Sequence, residues 1–294
     1  MPNKQGSRFV QVEPGVRVWV EDVGRGLPIV FVHGWPASYR MFEYQMDRLP
    51  KAGARCIGID TRGFGKSDKP WHGYDYDRLA EDLHVVIEEL ELERAVLVGF
   101  SMGGGIVAQY LSRYEDRVEK AVLLSAAVPR VTRTDKFSYG VERSVCDELI
   151  ELAYADRPKM IAEFAKSFFY APQDLSPDFR QWFAGICAEA AGHATIKCCE
   201  LFRDADLHDL LPLVDVPTLI LHGQDDKICK YELAEVAHEL IPRSQLVPIK
   251  HAGHGAFYEQ QARVTAEILS FAELSETIGV PQPGIEELPQ PAGT

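Results

Sequence analysis

Apolar and polar residues alternate along residues 8–13 and again along 16–21, with Glu13-Pro14-Gly15 between them, which predicts a β-hairpin. A Gly-rich loop over 22–27 follows. Residues 28–33 (Pro-Ile-Val-Phe-Val-His) are almost wholly apolar, the pattern of a short strand covered on both faces. The pattern then changes period repeatedly. Helical spacing is expected over 38–49, an apolar strand over 55–60, and a helix over 74–91, where Leu79, Leu83, Val86, Ile87 and Leu90 recur on one face. A strand at 95–99, a helix at 102–114 and a strand at 118–126 complete this part. Strands that alternate with helices imply a mostly parallel, doubly wound α/β sheet.

Residues 129–210 interrupt the rhythm. They are helical in pattern, rich in aromatic residues (Phe164, Phe168, Phe169, Tyr170, Trp182 and Phe183) and carry no strong strand, as expected of an inserted helical cap. Strand and helix resume at 216–221, 231–240, 245–250 and 256–274. The expected organisation is a core formed by 1–128 and 211–275, a cap over 129–210, and a flexible Pro-rich tail over 276–294.

Gly99-Phe100-Ser101-Met102-Gly103 matches G-x-S-x-G and sits between a strand and a helix, the context that motif requires. A tight bend there needs small flanking residues. It presents Ser101 at the carboxyl edge of the sheet, where open α/β sheets bind ligands. A neutral hydroxyl is a poor nucleophile without a base, and the base needs an orienting partner. With this turn the chain order is Ser, then Asp or Glu, then His. His254, flanked by Gly253 and Gly255 after a strand, is the expected base, and His251 is its rival. After the strand that ends at Leu221, Asp225 and Asp226 compete for the acid. Asp226 is the expected one, with Asp225 as a turn or cap residue. The alternative acid position, after the strand at Val118, offers only Ser125 and Ala126. The H-x-x-H spacing of His251 and His254 lies in a Gly-broken loop without a third ligand at helical spacing, so no metal site is expected.

Acyl transfer through Ser101 would build charge on a carbonyl oxygen, which two main-chain N–H groups must meet. Met102, at the start of a helix, supplies one. The loop His33-Gly34-Trp35-Pro36 supplies the other, and because Pro36 has no N–H the donor is Trp35. His33 is expected to be structural. In the Gly-rich stretch 60–68, Asp60 or Asp68 is expected to pair with Arg62, and no phosphate loop is present.

Composition narrows the partners. The formal net charge is −13, and no basic cluster could track a phosphate backbone, so nucleic-acid binding is not expected. No apolar run reaches the length of a membrane span, and the first residues lack a signal-peptide pattern, so a cytoplasmic protein is the expectation. The six cysteines form no C-x-x-C pair and are expected as free thiols. Monomer and homo-oligomer both stay open.

Taken together, these motifs resemble the bacterial aryl esterases and cofactor-free haloperoxidases (perhydrolases) of the α/β-hydrolase superfamily. The resemblance covers about residues 8–272 and rests on His33-Gly34-Trp35-Pro36, the 60–68 loop, Gly99-Phe100-Ser101-Met102-Gly103 with Gly104 and Gly105, the 216–223 segment, and Gly253-His254-Gly255. It implies the α/β-hydrolase fold, and a serine carboxylesterase for small or aromatic esters that needs no metal, haem or flavin. It places Ser101, Asp226 and His254 at the family's triad positions and Trp35 and Met102 at its oxyanion donors. Phe100, Ile228 and Cys229 match its acyl-pocket positions, with Phe168 of the cap joining them. Pro36 beside the oxyanion Trp resembles members that favour peroxide, which implies peracid formation from hydrogen peroxide as a side activity. The chain departs from the family at Gly253, where many members have Ala-Pro-His rather than Ala-Gly-His, and at Cys229-Lys230. Lactonase or γ-lactamase activity could use the same triad, and a non-catalytic ligand receptor could keep the same fold.

Overall fold

The computed structural model describes residues 6–275; the expected tail over 276–294 lies outside the described residues. Eight strands form one sheet: β1 (Arg8–Glu13), β2 (Val16–Gly24), β3 (Leu27–Val32), β4 (Ala54–Asp60), β5 (Ala95–Phe100), β6 (Val118–Leu124), β7 (Thr218–Gly223) and β8 (Ser244–Ile249). Their spatial order is β1-β2-β4-β3-β5-β6-β7-β8. The hairpin and its pairing with β4 are antiparallel, and every pair from β4 to β8 is parallel. All six residues of β5 are buried, so both faces of the central sheet are covered. This is the α/β-hydrolase fold the sequence implies.

The chain runs from β3 outward to β4, then returns to place β5 on the other side of β3. The loops that leave β3 and β5 therefore diverge at a switch point, the crevice where open α/β sheets take their ligands. Trp35 follows β3 and Ser101 follows β5, so the sheet order alone brings the two loops side by side.

Helix boundaries depart from the sequence pattern where local chemistry intervenes. The stretch expected as one helix over 38–49 is a 3-10 turn (Tyr39–Phe42), α1 (Glu43–Arg48) and a second 3-10 turn (Leu49–Ala52). Pro50 lies in that last turn, and Gly53 ends it in the left-handed region at φ 90°. α2 (Tyr76–Glu89) starts on Asp75, whose side chain accepts the Arg78 N–H at 2.8 Å. α3 (Met102–Leu111) follows β5 directly. Near the end of the chain come α7 (Tyr231–Leu240), α8 (Ala256–Glu259) and α9 (Gln261–Phe271). The helix expected over 256–274 breaks at Gln260, whose backbone leaves the helical region while its side chain donates to the His251 carbonyl at 3.2 Å.

Between β6 and β7 the chain forms α4 (Arg143–Phe168), α5 (Pro177–Ala188) and α6 (Gly192–Asp204), with no strand of the main sheet. α4 is two helices joined at Asp156, which has non-helical dihedrals and caps the second half by accepting the Lys159 N–H at 3.0 Å. Pro158 sits in the first turn of that half, where its missing N–H costs no helical bond. α4 packs on α5 and α6, and Phe164, Phe168, Phe169, Phe179 and Phe183 bring an aromatic cluster down onto the loop after β8.

The 60–68 loop corrects one expectation. Arg62 does not pair with Asp60 or Asp68. Its guanidinium is fully buried and donates to Asp82 at 2.6 and 2.7 Å and to Glu13 at 2.9 Å, tying the loop to α2 and β1. Asp68 pairs with Arg17, and Asp60 accepts the main-chain N–H groups of Tyr39 and Lys66. The charges sit on elements far apart in sequence, so neighbouring residues were the wrong place to seek the partner. Among the described residues, no helix is long and apolar enough to cross a membrane.

Candidate active site

Ser101 stands at the bend between β5 and α3 with φ 52° and ψ −119°, a backbone conformation that L-residues rarely adopt. The bend is enforced from both sides. Its N–H donates to Leu124 of β6 at 3.1 Å, and its carbonyl accepts from Gly104 at 2.8 Å and Ala127 at 3.0 Å. Close approach requires glycine at two flanking positions: a Cβ at Gly99 would lie 2.5 Å from the Gly103 carbonyl oxygen, and one at Gly103 would run into the Val32 carbonyl oxygen of β3. Met102 opens α3, so its N–H belongs to the first turn and has no intrahelical acceptor.

The β3 loop is held by buried polar bonds. His33 is neutral: burial lowers its pKa to about 4, its Nδ1 lies 2.9 Å from the Gly34 carbonyl, and its Nε2 accepts the Thr61 N–H at 3.0 Å. A turn closed by Ala37 N–H on the Gly34 carbonyl leaves the Trp35 N–H outside the turn's own hydrogen bond. The Trp35 indole donates to the Thr195 carbonyl of α6 at 2.7 Å, so the insertion anchors this loop.

Asp226 and His254 meet across the loops after β7 and β8. His254 Nδ1 lies 2.7 Å from Asp226 Oδ2, and both side chains are fully buried. The other oxygen, Oδ1, accepts the N–H groups of Ile228 and Cys229 at 2.8 and 2.9 Å. His222 Nε2 approaches the same carboxylate at 3.4 Å while bonding the Cys229 carbonyl at 2.6 Å. Burial alone would raise the Asp226 pKa, but His254 and His222 outweigh it and lower it to about 2. The rivals sit elsewhere. Asp225 is exposed, and its N–H donates to the Ala252 carbonyl of the loop after β8 at 3.0 Å. His251 is exposed, with its ring 6.0 Å from that of Tyr170.

His254 Nε2 is buried and has no hydrogen-bond partner. Cys229 lies beside Ser101, whose hydroxyl favours the Cys229 thiolate against burial and Asp226. A buried imidazole nitrogen without a partner is costly unless a donor is brought to it.

A cavity of about 370 Å³ opens on Ser101. It is lined mainly by apolar side chains, among them Trp35, Ala127, Leu149, Phe164, Phe202 and Ile228, with Cys229 and Cys146 also in its wall. Ile228 and Cys229 both line this cavity. Phe100 and Phe168 are not in that wall. Their rings pack on the His254 imidazole, with centroids at 4.8 and 5.1 Å, behind the cavity. Phe164 and Phe202, which the motifs did not single out, take the places at the cavity surface.

Glu259 was also invisible to the motifs. Its two carboxylate oxygens accept the N–H groups of Gly253 (2.7 Å), Tyr170 (2.7 Å) and Ala171 (3.2 Å), joining the His254 loop to the end of α4. The available signal was an acidic residue in the first turn after Gly253-His254-Gly255, which reads equally as an ordinary helix N-terminal charge.

A strained serine between strand and helix and a buried carboxylate–imidazole pair on the loops that follow the strands fit the α/β-hydrolase class. The chain belongs to that family: the family model described as alpha/beta hydrolase fold matches residues 28–261. Within it, the chain is 46% identical over 265 residues to the AB hydrolase superfamily protein YisY of Bacillus subtilis, covering 90% of this chain and 98% of that one. It is 35% identical to a non-heme haloperoxidase of Rhodococcus erythropolis, covering 90% and 99%. Among solved structures, an esterase from Exiguobacterium antarcticum superposes with a TM-score of 0.88 at 42% identity, covering 92% of this chain and all of that one. The chain thus falls in the esterase and cofactor-free haloperoxidase branch of the family.

Proposed function

We propose that this protein is a serine carboxylesterase acting on small or aromatic esters, with Ser101 as nucleophile, His254 as general base and Asp226 as the carboxylate that orients and stabilises the imidazole. The observation that carries this reading is the unpartnered, buried Nε2 of His254, whose Nδ1 is fixed by Asp226 at 2.7 Å. The Asp226 contact sets Nδ1 as the donor and leaves Nε2 basic. The ring of Phe100, next to Ser101, packs on the imidazole at 4.8 Å, and catalytic hydrogen bonds in apo sites often tighten only when substrate is bound.

In the proposed cycle, His254 takes the Ser101 proton as Oγ attacks the ester carbonyl, and the Trp35 and Met102 N–H groups meet the developing oxyanion. His254 then protonates the departing alcohol. Water attacks the acyl-enzyme with His254 again as base, releasing the acid. Hydrogen peroxide entering in place of water would release a peracid from the same intermediate. Pro36 beside Trp35 and the likeness to a non-heme haloperoxidase favour this second outcome as a side activity.

The test is turnover on p-nitrophenyl esters of rising acyl length, with and without hydrogen peroxide. The reading requires hydrolysis that falls by on the order of 10⁴- to 10⁶-fold in Ser101→Ala, and peracid above background only with the active protein. Hydrolysis that survives Ser101→Ala would refute it.

A further inference from the structure

We propose that Cys146 and Cys199 form an oxidisable thiol pair in the wall of the substrate cavity, converted by hydroperoxides to a disulfide that joins α4 to α6. The proposal goes beyond the esterase reading and stands without it.

The geometry sets this pair apart from the other cysteines. Cys146, on α4, lines the cavity that opens on Ser101, so a small solute can reach its sulfur although the residue is otherwise buried. Cys199, on α6, is buried directly behind it. Its Sγ donates to the Cys146 carbonyl at 3.7 Å, which puts the two cysteines in direct contact. The packing of α4 on α6 thus holds the two cysteines against each other, the neighbourhood a disulfide requires.

The surroundings are also those of a reactive thiol. The neighbouring Cys199 favours the Cys146 thiolate, and the guanidiniums of Arg203 and Arg143 add to this, against burial and Asp147. Arg203 is fixed in place by Asp147 at 2.7 Å and by Asp204 at 2.8 Å. The other cysteines have the opposite setting. Cys187 and Cys198 are fully buried with their ionisation suppressed, burial pushes the Cys56 thiol up to about 12, and Cys229, though in the cavity wall, is raised well above the ordinary thiol value by burial and by Asp226. Cys146 alone among the six combines access with a stabilised thiolate.

The chemistry balances with a hydroperoxide as oxidant. The Cys146 thiolate attacks one peroxide oxygen; an S–O bond forms, the O–O bond breaks, and the departing hydroxide takes up a proton as water. The Cys199 sulfur then attacks the sulfenic sulfur. An S–S bond forms, the S–O bond breaks, and the hydroxide leaves with the Cys199 proton as a second water. Two thiols are oxidised and one peroxide is reduced to two waters. The bond would tie α4, which carries Leu149 and Phe164 of the cavity wall, to α6, whose Thr195 carbonyl anchors Trp35.

The test treats the full chain with graded hydrogen peroxide, blocks remaining thiols after unfolding, and maps the peptides by mass spectrometry. The expected product is a Cys146–Cys199 cross-linked peptide that reverts on reduction and forms at least about tenfold faster than Cys56, Cys187 or Cys198 is lost. In Cys199→Ser, a dimedone-trapped sulfenic acid should accumulate at Cys146. Ser101→Ala should cross-link as fast as the wild type, so loss of the esterase reading would leave this result unchanged. Cys146 still free when the deeply buried thiols begin to react, or oxidised with Cys199 left as a thiol, would overturn the proposal.

Discussion

His254 Nδ1 and Asp226 Oδ2 lie 2.7 Å apart, with neither side chain exposed to solvent. In so dry a setting, the carboxylate keeps its charge only because two imidazoles and two main-chain N–H groups face it. Asp226→Asn would keep the shape but present an amide that no longer selects the Nδ1–H tautomer. Its kcat on a p-nitrophenyl ester is expected to fall by roughly 10³- to 10⁴-fold with a near-native circular dichroism spectrum. A loss under tenfold would show that the carboxylate does not orient the base.

The same carboxylate sets an acid limb of stability. Its pKa in the fold is about 2, below the 3.8 of an ordinary aspartate. Its contribution is therefore complete above about pH 4 and is lost as pH falls toward 2, amounting to about 2 kcal/mol. Urea unfolding across pH 5 to 2 should show that slope in the wild type and a shallower one in Asp226→Asn. Identical slopes would contradict the assignment.

Arg62 is fully buried between Asp82 and Glu13, and Asp82 also receives Arg78 at 2.6 Å. Asp82→Ala would leave a buried guanidinium short of its bidentate partner. A loss of about 3 to 5 kcal/mol in denaturant unfolding is expected, with activity per folded molecule little changed, because no member of the network borders the cavity. An unchanged midpoint would mean that solvent reaches the site.

Glu259 accepts three main-chain N–H groups and so fixes the loop that carries His254. Glu259→Gln turns one acceptor into a donor that opposes an N–H. A kcat decrease of roughly tenfold is expected with KM changed much less, since the imidazole loses its fixed position while the cavity wall stays intact. A change confined to KM would place Glu259 in substrate binding instead.

Cys229 borders the cavity beside Ser101, where its thiol can compete with His254 for the hydroxyl. Cys229→Ala removes that competing bond, whose net worth is about 1 kcal/mol. The rate of fluorophosphonate labelling should then rise a few-fold. A fall in that rate would show that the thiol helps to present the hydroxyl.

Period and motif carried most of the fold. The apolar runs of β3 to β7 and the strand–Ser–helix context of Ser101 follow from rules that act over a few residues, so they could be read directly. A tight turn lets only one of Asp225 and Asp226 face inward, and the resemblance puts Asp226 at the triad position. What escaped depends on contacts distant in sequence. Arg62 finds Asp82 and Glu13 on other elements. Glu259 looks like a helix-start charge until the end of α4 is placed beside it. Phe100 and Phe168 pack on the imidazole, and Phe164 and Phe202 take the cavity surface, because contacts among β5, α4, α6 and the His254 loop decide which rings face inward. The Cys146–Cys199 contact needs two helices of the insertion to meet.

The most direct measurement is the site and extent of covalent labelling by a fluorophosphonate, read by intact mass and peptide mapping on the wild type and His254→Ala. The account predicts one adduct per chain on Ser101, with labelling slowed by orders of magnitude when the imidazole is removed. No adduct on Ser101 of the folded wild type, or equal labelling of the His254→Ala protein, would contradict it.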